Sequence, residues 1–156
     1  MKQVIPIKTN KRVCGNCTAC CEGWLEGVAH TKHFYPGRSC HFKGENCCTI
    51  YKDRPDEPCK SYKCVWLVDN NVPEWLRPDL SKVIITERDI NGIRYWDMIE
   101  AGTKVDSSVL NWLFMHYGTG QVQNIMYRVD GGINYFGTPE FIKAYTGKDV
   151  ILPVKE

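Results

Sequence analysis

Outside residues 14–64 the chain has no cysteine, and nowhere does it carry an apolar run of the roughly 18 residues needed to cross a bilayer. The opening stretch, MKQVIPIKTNKRV, lacks both an apolar segment of signal-peptide length and a small-residue cleavage site. Charge of one sign is scarce too. Twenty Lys and Arg against 18 Asp and Glu leave a formal charge of +2, too little to draw in nucleic acid or an anionic membrane by net field alone. There is no Ser-His-Asp arrangement, P-loop or dinucleotide-binding glycine motif, and Gly118-x-Gly120 is too short to cradle a phosphate. Asp97, Glu100, Asp106 and Asp130 fall at no spacing suited to paired acid–base work, so no catalytic constellation is evident. These absences predict a cytoplasmic chain in a reducing compartment, with no membrane partner.

What the chain does have is nine cysteines within one stretch: Cys14, Cys17, Cys20, Cys21, Cys40, Cys47, Cys48, Cys59 and Cys64. An odd count rules out complete internal pairing, and adjacent cysteines, present twice, make poor disulfide partners for each other. The C-x2-C spacing suits metal instead. A tight turn brings two sulfurs close enough for both to reach one ion at the ~2.3 Å zinc–sulfur distance. Gly15 and Asn16 tolerate positive φ, and the small Thr18 and Ala19 leave room for close approach.

Apolar residues make up 43% of the chain and charged residues 24%, a globular rather than disordered balance. Its 156 residues predict one compact domain, 1–156, made of a cysteine-cluster metal-binding module, 14–64, and an α+β portion, 65–156. The expected fold class is α+β, with the module packed on antiparallel hairpins and two short helices.

Met1 to Val13, interrupted by Pro6, reads as an edge strand or arm, with Lys8, Lys11 and Arg12 as a solvated cluster. Glu22 to Gly37 reads as a wall over the metal site, either a helical turn or a loop. Lys43-Gly44-Glu45-Asn46 is a turn, and Pro55 and Pro58 set the backbone direction before Cys59. Further on, Lys82–Glu87 and Ile93–Ile99 predict a hairpin about Asn91-Gly92. Asp106 and Ser107 can cap a helix carrying Val109, Leu110, Leu113, Phe114 and Tyr117, ended by Gly118 and Gly120. Val122–Val129 and Ile133–Phe136 form a second strand pair around Asp130-Gly131-Gly132. A last helix starts at Thr138-Pro139 and closes at Gly147, and Val150-Ile151-Leu152 could add an edge strand.

The order of the cysteines resembles the YkgJ-type cysteine-cluster family, described as zinc- or iron-chelating. Cys14, Cys17, Cys20 and Cys21 match its opening C-x2-C-x2-C-C, and Cys40 its middle cysteine. Cys48-Thr49-Ile50-Tyr51, Arg54-Pro55 and Cys59 match its later block, with three residues rather than two between Pro55 and Cys59, and Cys64 closes it. The resemblance implies eight metal ligands, Cys14, Cys17, Cys20, Cys21, Cys40, Cys48, Cys59 and Cys64, with Cys47 a possible ninth outside the pattern. It implies no established reaction.

Eight thiolates could make two tetrahedral four-cysteine zinc sites, a bridged cluster, or an iron–sulfur cluster plus a mononuclear site. Nine would also suit three ions sharing bridging sulfurs. Adjacent cysteines favour neighbouring metals, because consecutive side chains diverge. Zn2+ is the first expectation, since closed all-sulfur sites are structural; iron or an iron–sulfur cluster is the alternative. Two zinc ions with eight thiolates would take the charge from +2 to about −2. Arg54, beside three ligands, could offset part of that charge. His30, His33 and His41 lie close enough in sequence to substitute for a cysteine, and His116 reads as a helix residue. Three function classes follow: a structural metal module that scaffolds binding of a partner protein, an iron-dependent or iron–sulfur redox protein, and a nucleic-acid-binding zinc module. The last would stack bases on Trp24, Tyr35, Tyr51, Tyr62 or Trp66.

Overall fold

The computed structural model describes residues 12–119 and 122–149. Residues 1–11 of the expected Met1–Val13 arm, Gly120 and the expected edge strand at Val150–Leu152 lie outside those residues. A short 3-10 turn over Cys20–Glu22 leads into β1 (Gly27–Ala29) and β2 (Lys32–Phe34), an antiparallel pair with Ala29 opposite Lys32. The expected wall is therefore a hairpin. Its two turn residues, His30 and Thr31, both sit at positive φ, 44° and 69°, without the glycine or asparagine that usually marks such a turn. An irregular turn over Asp56–Lys60 packs against β1.

Cys64 then opens the one-turn helix α1 (Val65–Val68), whose Val65 and Trp66 are buried. The carbonyls at its end do not face water. Arg12 donates to Trp66 O at 2.7 Å, Asp69 O at 3.0 Å and Val72 O at 2.7 Å, and its guanidinium lies 4.9 Å from the centre of the Trp66 ring. A cation near the C-terminal carbonyls of a helix is favoured by the helix dipole. Arg12, read from sequence as solvated, is thus a cap. A 3-10 turn at Glu74–Leu76 and α2 (Pro78–Ser81) complete the connection, with proline at the favoured first position.

β3 (Val83–Ile90) and β4 (Ile93–Glu100) pair antiparallel about Asn91-Gly92, both at positive φ, so Ile90 faces Ile93 directly. The strands run longer than their apolar centres suggest. α3 (Ser107–Gly118) begins where the Asp106 carboxylate accepts the Ser108 N–H. β5 (Ile125–Val129) and β6 (Gly132–Phe136) turn at Asp130-Gly131, and Gly132 belongs to the strand rather than to the turn. α4 (Pro139–Thr146) is capped by Thr138 and ends at Gly147 in the left-handed region.

The fold is α+β, and the four-stranded sheet runs β3-β4-β5-β6. It is not built of antiparallel hairpins alone. β4 and β5 are parallel, Trp96 opposite Ile125 and Ile99 opposite Arg128, so α3 is a crossover between two hairpins. Val109 and Leu113 of α3 join the core holding Trp96, Met98 and Ile125. Phe141 of α4 packs on Tyr95 and Met126, the alternate residues of the same strands, so the helices cover opposite faces. With both faces covered, β4 buries Tyr95, Trp96, Asp97 and Met98 in succession. Asp97, 2% exposed, is held by Arg88 at 3.2 Å and Arg128 at 3.3 Å from the flanking strands. No helix among the described residues is long and apolar enough to cross a membrane.

The cysteine-rich stretch covers the free edge of β3. Cys64 makes an isolated antiparallel bridge with Thr86, and Tyr62 Oη lies 3.0 Å from Thr86 Oγ1. The sheet thereby holds one end of the cysteine set in place.

Candidate metal centre

All nine cysteines are free thiols, and eight of them line one cavity of about 90 Å³. They are Cys14, Cys17, Cys20, Cys21, Cys40, Cys48, Cys59 and Cys64. Cys47 is exposed and does not line it. One water needs roughly 10–15 Å³, so the space exceeds what a single ion would fill. Apolar groups close the rest, among them Leu25, Phe34, Phe42, Tyr62 and Trp66. No histidine or carboxylate among the described residues is in the lining. Among the described residues, no three His, Cys, Asp or Glu side chains are gathered to hold a metal ion. The thiols share a cavity rather than a coordination sphere.

Local backbone bonds explain how residues fifty apart arrive together. Cys17 N–H donates to Cys14 O at 2.9 Å, closing the first C-x2-C turn. Cys40 N–H donates to Cys21 O at 2.7 Å, and Lys43 N–H to Cys40 O at 3.0 Å. Lys43 bridges to Cys48 in turn, across the Gly44–Cys47 loop. Gly23 ends the turn after Cys21 with φ 97°. A Cβ there would lie 2.1 Å from Tyr35 O, so only glycine lets the chain pass the Tyr35–Arg38 turn.

Burial dominates the thiol chemistry. It pushes Cys20 well above the ordinary thiol value, Cys21 up to about 12 and Cys64 up to about 11; Cys17 and Cys59 rise too. Negative charge on neighbouring sulfurs adds to this. Cys20 is raised by Cys64, Cys17, Cys21 and Cys14, in that order, and Cys21 by Cys48, Cys40, Cys59 and Cys14. Against this act N–H groups aimed at sulfur: those of Ala19 and Asp79 on Cys17, and those of Leu67 and of its own residue on Cys64. The Arg54 charge lowers Cys59. Neutral thiols are the stable form in such a site until a cation offsets the burial.

Two buried donors fit the donor set. Among the described residues, Arg54 Nε and Trp66 Nε1 find no hydrogen-bond partner, and both residues line the cavity. A buried N–H left unpaired costs about 1–3 kcal/mol, and metal-bound thiolates are acceptors for it. Arg54 lines the cavity with the cysteines, its guanidinium 3.9 Å over the Tyr51 ring. Trp66, which the sequence offers for base stacking, instead lines the cavity with its indole N–H buried. The histidines sit elsewhere. His30, His33 and His41 are exposed, and His30 Nε2 lies 3.0 Å from Asp53 O. His116 stacks on Trp112 at 3.8 Å, on α3. Of the aromatics considered for base stacking, Trp66 is 7% exposed, Tyr62 lines the cavity, and the Trp24 indole packs against Gly102, where an added Cβ would lie 3.3–3.8 Å from it.

Comparison with family models, with curated proteins and with solved structures finds no match for this chain.

Proposed function

We propose that this protein binds a thiophilic metal, zinc in the first place, through the eight cavity cysteines. The metal serves as a structural centre that holds the 14–64 module on the α+β portion for presentation to a partner protein. One observation carries this reading: eight thiols from four separate segments meet in one apolar cavity, and the ninth stays outside. A lining without histidine or carboxylate favours soft metals over magnesium or calcium. The unpaired Arg54 and Trp66 donors supply the hydrogen bonds that anionic sulfur accepts. The resemblance of the cysteine order to the YkgJ-type pattern supports the same chemistry.

Iron, alone or as an iron–sulfur cluster, uses the same donors and is the second reading. A nucleic-acid module is less favoured, because Trp66 and Tyr62 face inward and the Arg54 guanidinium occupies one face of the Tyr51 ring. The test is elemental analysis of the chain purified without oxygen, with its colour recorded. Zinc and no visible absorption support the first reading, and a brown protein the second. Cys47→Ser should keep the full metal content and Cys48→Ser should lower it. A reduced, folded chain that takes up neither metal would overturn the proposal.

A further inference from the structure

Adjacent residues Cys20 and Cys21 face different parts of the cavity wall. Cys20 packs with Cys17, Cys64, Ala19 and Trp66 in the large core that continues into the sheet. Cys21 packs with Cys40, Cys59, Leu25 and Phe42 in a separate small core under the β1–β2 hairpin. The backbone divides the remaining two thiols the same way. Cys14 is tied to Cys17 by the bond closing their turn. Cys48 is tied to Cys40 through Lys43, which donates to Cys40 O and bridges to Cys48.

From this packing and connectivity we infer that the eight thiols form two separate four-thiolate centres, Cys14/Cys17/Cys20/Cys64 and Cys21/Cys40/Cys48/Cys59, each holding one thiophilic divalent ion without bridging sulfur. The inference rests on the metal-binding reading above and adds to it how many ions bind, by which ligands, and with what task. Four sulfurs per ion satisfy a tetrahedral site with none left to share. Each centre has its own buried, unpaired donor. Trp66 Nε1 stands in the core of the first set, and Arg54, between Cys48 and Cys59 of the second in sequence, lines the cavity with them. The tasks differ. The first centre draws on Cys64, the residue bridged to Thr86, and so fastens the module to the sheet; the second closes the module on itself.

The full-length chain, reduced and loaded with 113Cd, tests this without any substitution. Two resonances, both in the four-thiolate range and neither split by the other cadmium, are expected. A metal–metal splitting, or a shift indicating bridging sulfur, would overturn the division while leaving metal binding intact. Failure to bind cadmium or zinc at all would overturn both. Cys64→Ser and Cys40→Ser give a second arm. Each should lower the content from about two ions per chain to about one, and the surviving resonance should keep its position. Amide exchange separates the tasks: Cys64→Ser should release protection at Thr86, whereas Cys40→Ser should leave it unchanged. Loss of both ions together from a folded Cys40→Ser chain would mean one joint cluster.

Discussion

Replacing Arg54 with methionine asks whether the cavity responds to a charge beside it. Methionine keeps much of the apolar stem and removes the guanidinium. In the structure Arg54 Nε is buried with no partner, and the guanidinium lies 3.9 Å over Tyr51. Held so, the side chain bears a desolvation cost of about 1–3 kcal/mol that only an acceptor in the cavity can offset. The sulfur its charge reaches is Cys59, which it lowers against the effect of burial. Losing a group that supports a metal ligand in this way typically lowers affinity about 10–100-fold. At about 1.4 kcal/mol per tenfold, that is roughly 1.4–2.8 kcal/mol, the same range as the unpaired-donor cost. Competition against a chromogenic chelator should show one of the two ions released about 10–100-fold faster from Arg54→Met, and the other unchanged. Lysine should restore only part of the difference, since it offers a point charge in place of a planar fork. An unchanged release rate in a folded Arg54→Met chain would refute the reasoning.

Chelation under reducing conditions should abolish amide protection in residues 14–64 before the sheet, because a structural zinc site supplies on the order of 10–16 kcal/mol of folding free energy; full protection in verified metal-free protein would count against it. Gly23→Ala should destabilise the loaded protein by more than Gly37→Ala in thermal melts. Both glycines have φ near 95°, but an added Cβ meets Tyr35 O at Gly23 and nothing within 4 Å at Gly37. Backbone strain alone costs about 1–3 kcal/mol, so equal effects would mean the close approach is not real. Asp97→Asn tests the buried carboxylate of the sheet. Burial raises its pKa despite Arg128 and Arg88, so the wild-type fold gains stability as pH falls through that raised value and stops gaining below the unfolded value near 3.8. The variant should lack this contribution, seen as a flatter difference in denaturation midpoint between pH 7 and pH 4.

The short-range features of the fold were legible in the sequence. Asn91-Gly92, Asp130-Gly131, the Asp106 and Thr138 caps and the closing Gly147 all act within a few residues, and each occupies the place its chemistry suggests. Long-range pairing was not. Nothing local to β4 or β5 says that they run parallel, because that choice is made by α3 covering one face of both hairpins. His30-Thr31 hid a tight hairpin because neither residue is a usual turn former; pairing of Val28 with His33 and contact with the Asp56–Lys60 turn hold it. At the site, the resemblance to the YkgJ-type pattern named the eight thiols that line the cavity but not which lie nearest one another. That depended on Gly23, Lys43 and Thr86, none of which carries metal chemistry itself.

The bridge between Cys64 and Thr86 has a consequence for the chain as it is made. Chains are synthesised at about 5–20 residues per second, so roughly 4–14 seconds separate the appearance of Cys14 from that of Thr86. By the end of that interval all nine thiols have left the synthesis machinery without the sheet edge that aligns the last of them. Once β3 and β4 are out, their two-residue turn lets them pair within about microseconds, far faster than the wait before it. Oxidation of the unaligned thiols therefore has its widest opening on the ribosome, and the sheet acts as the timer that ends it.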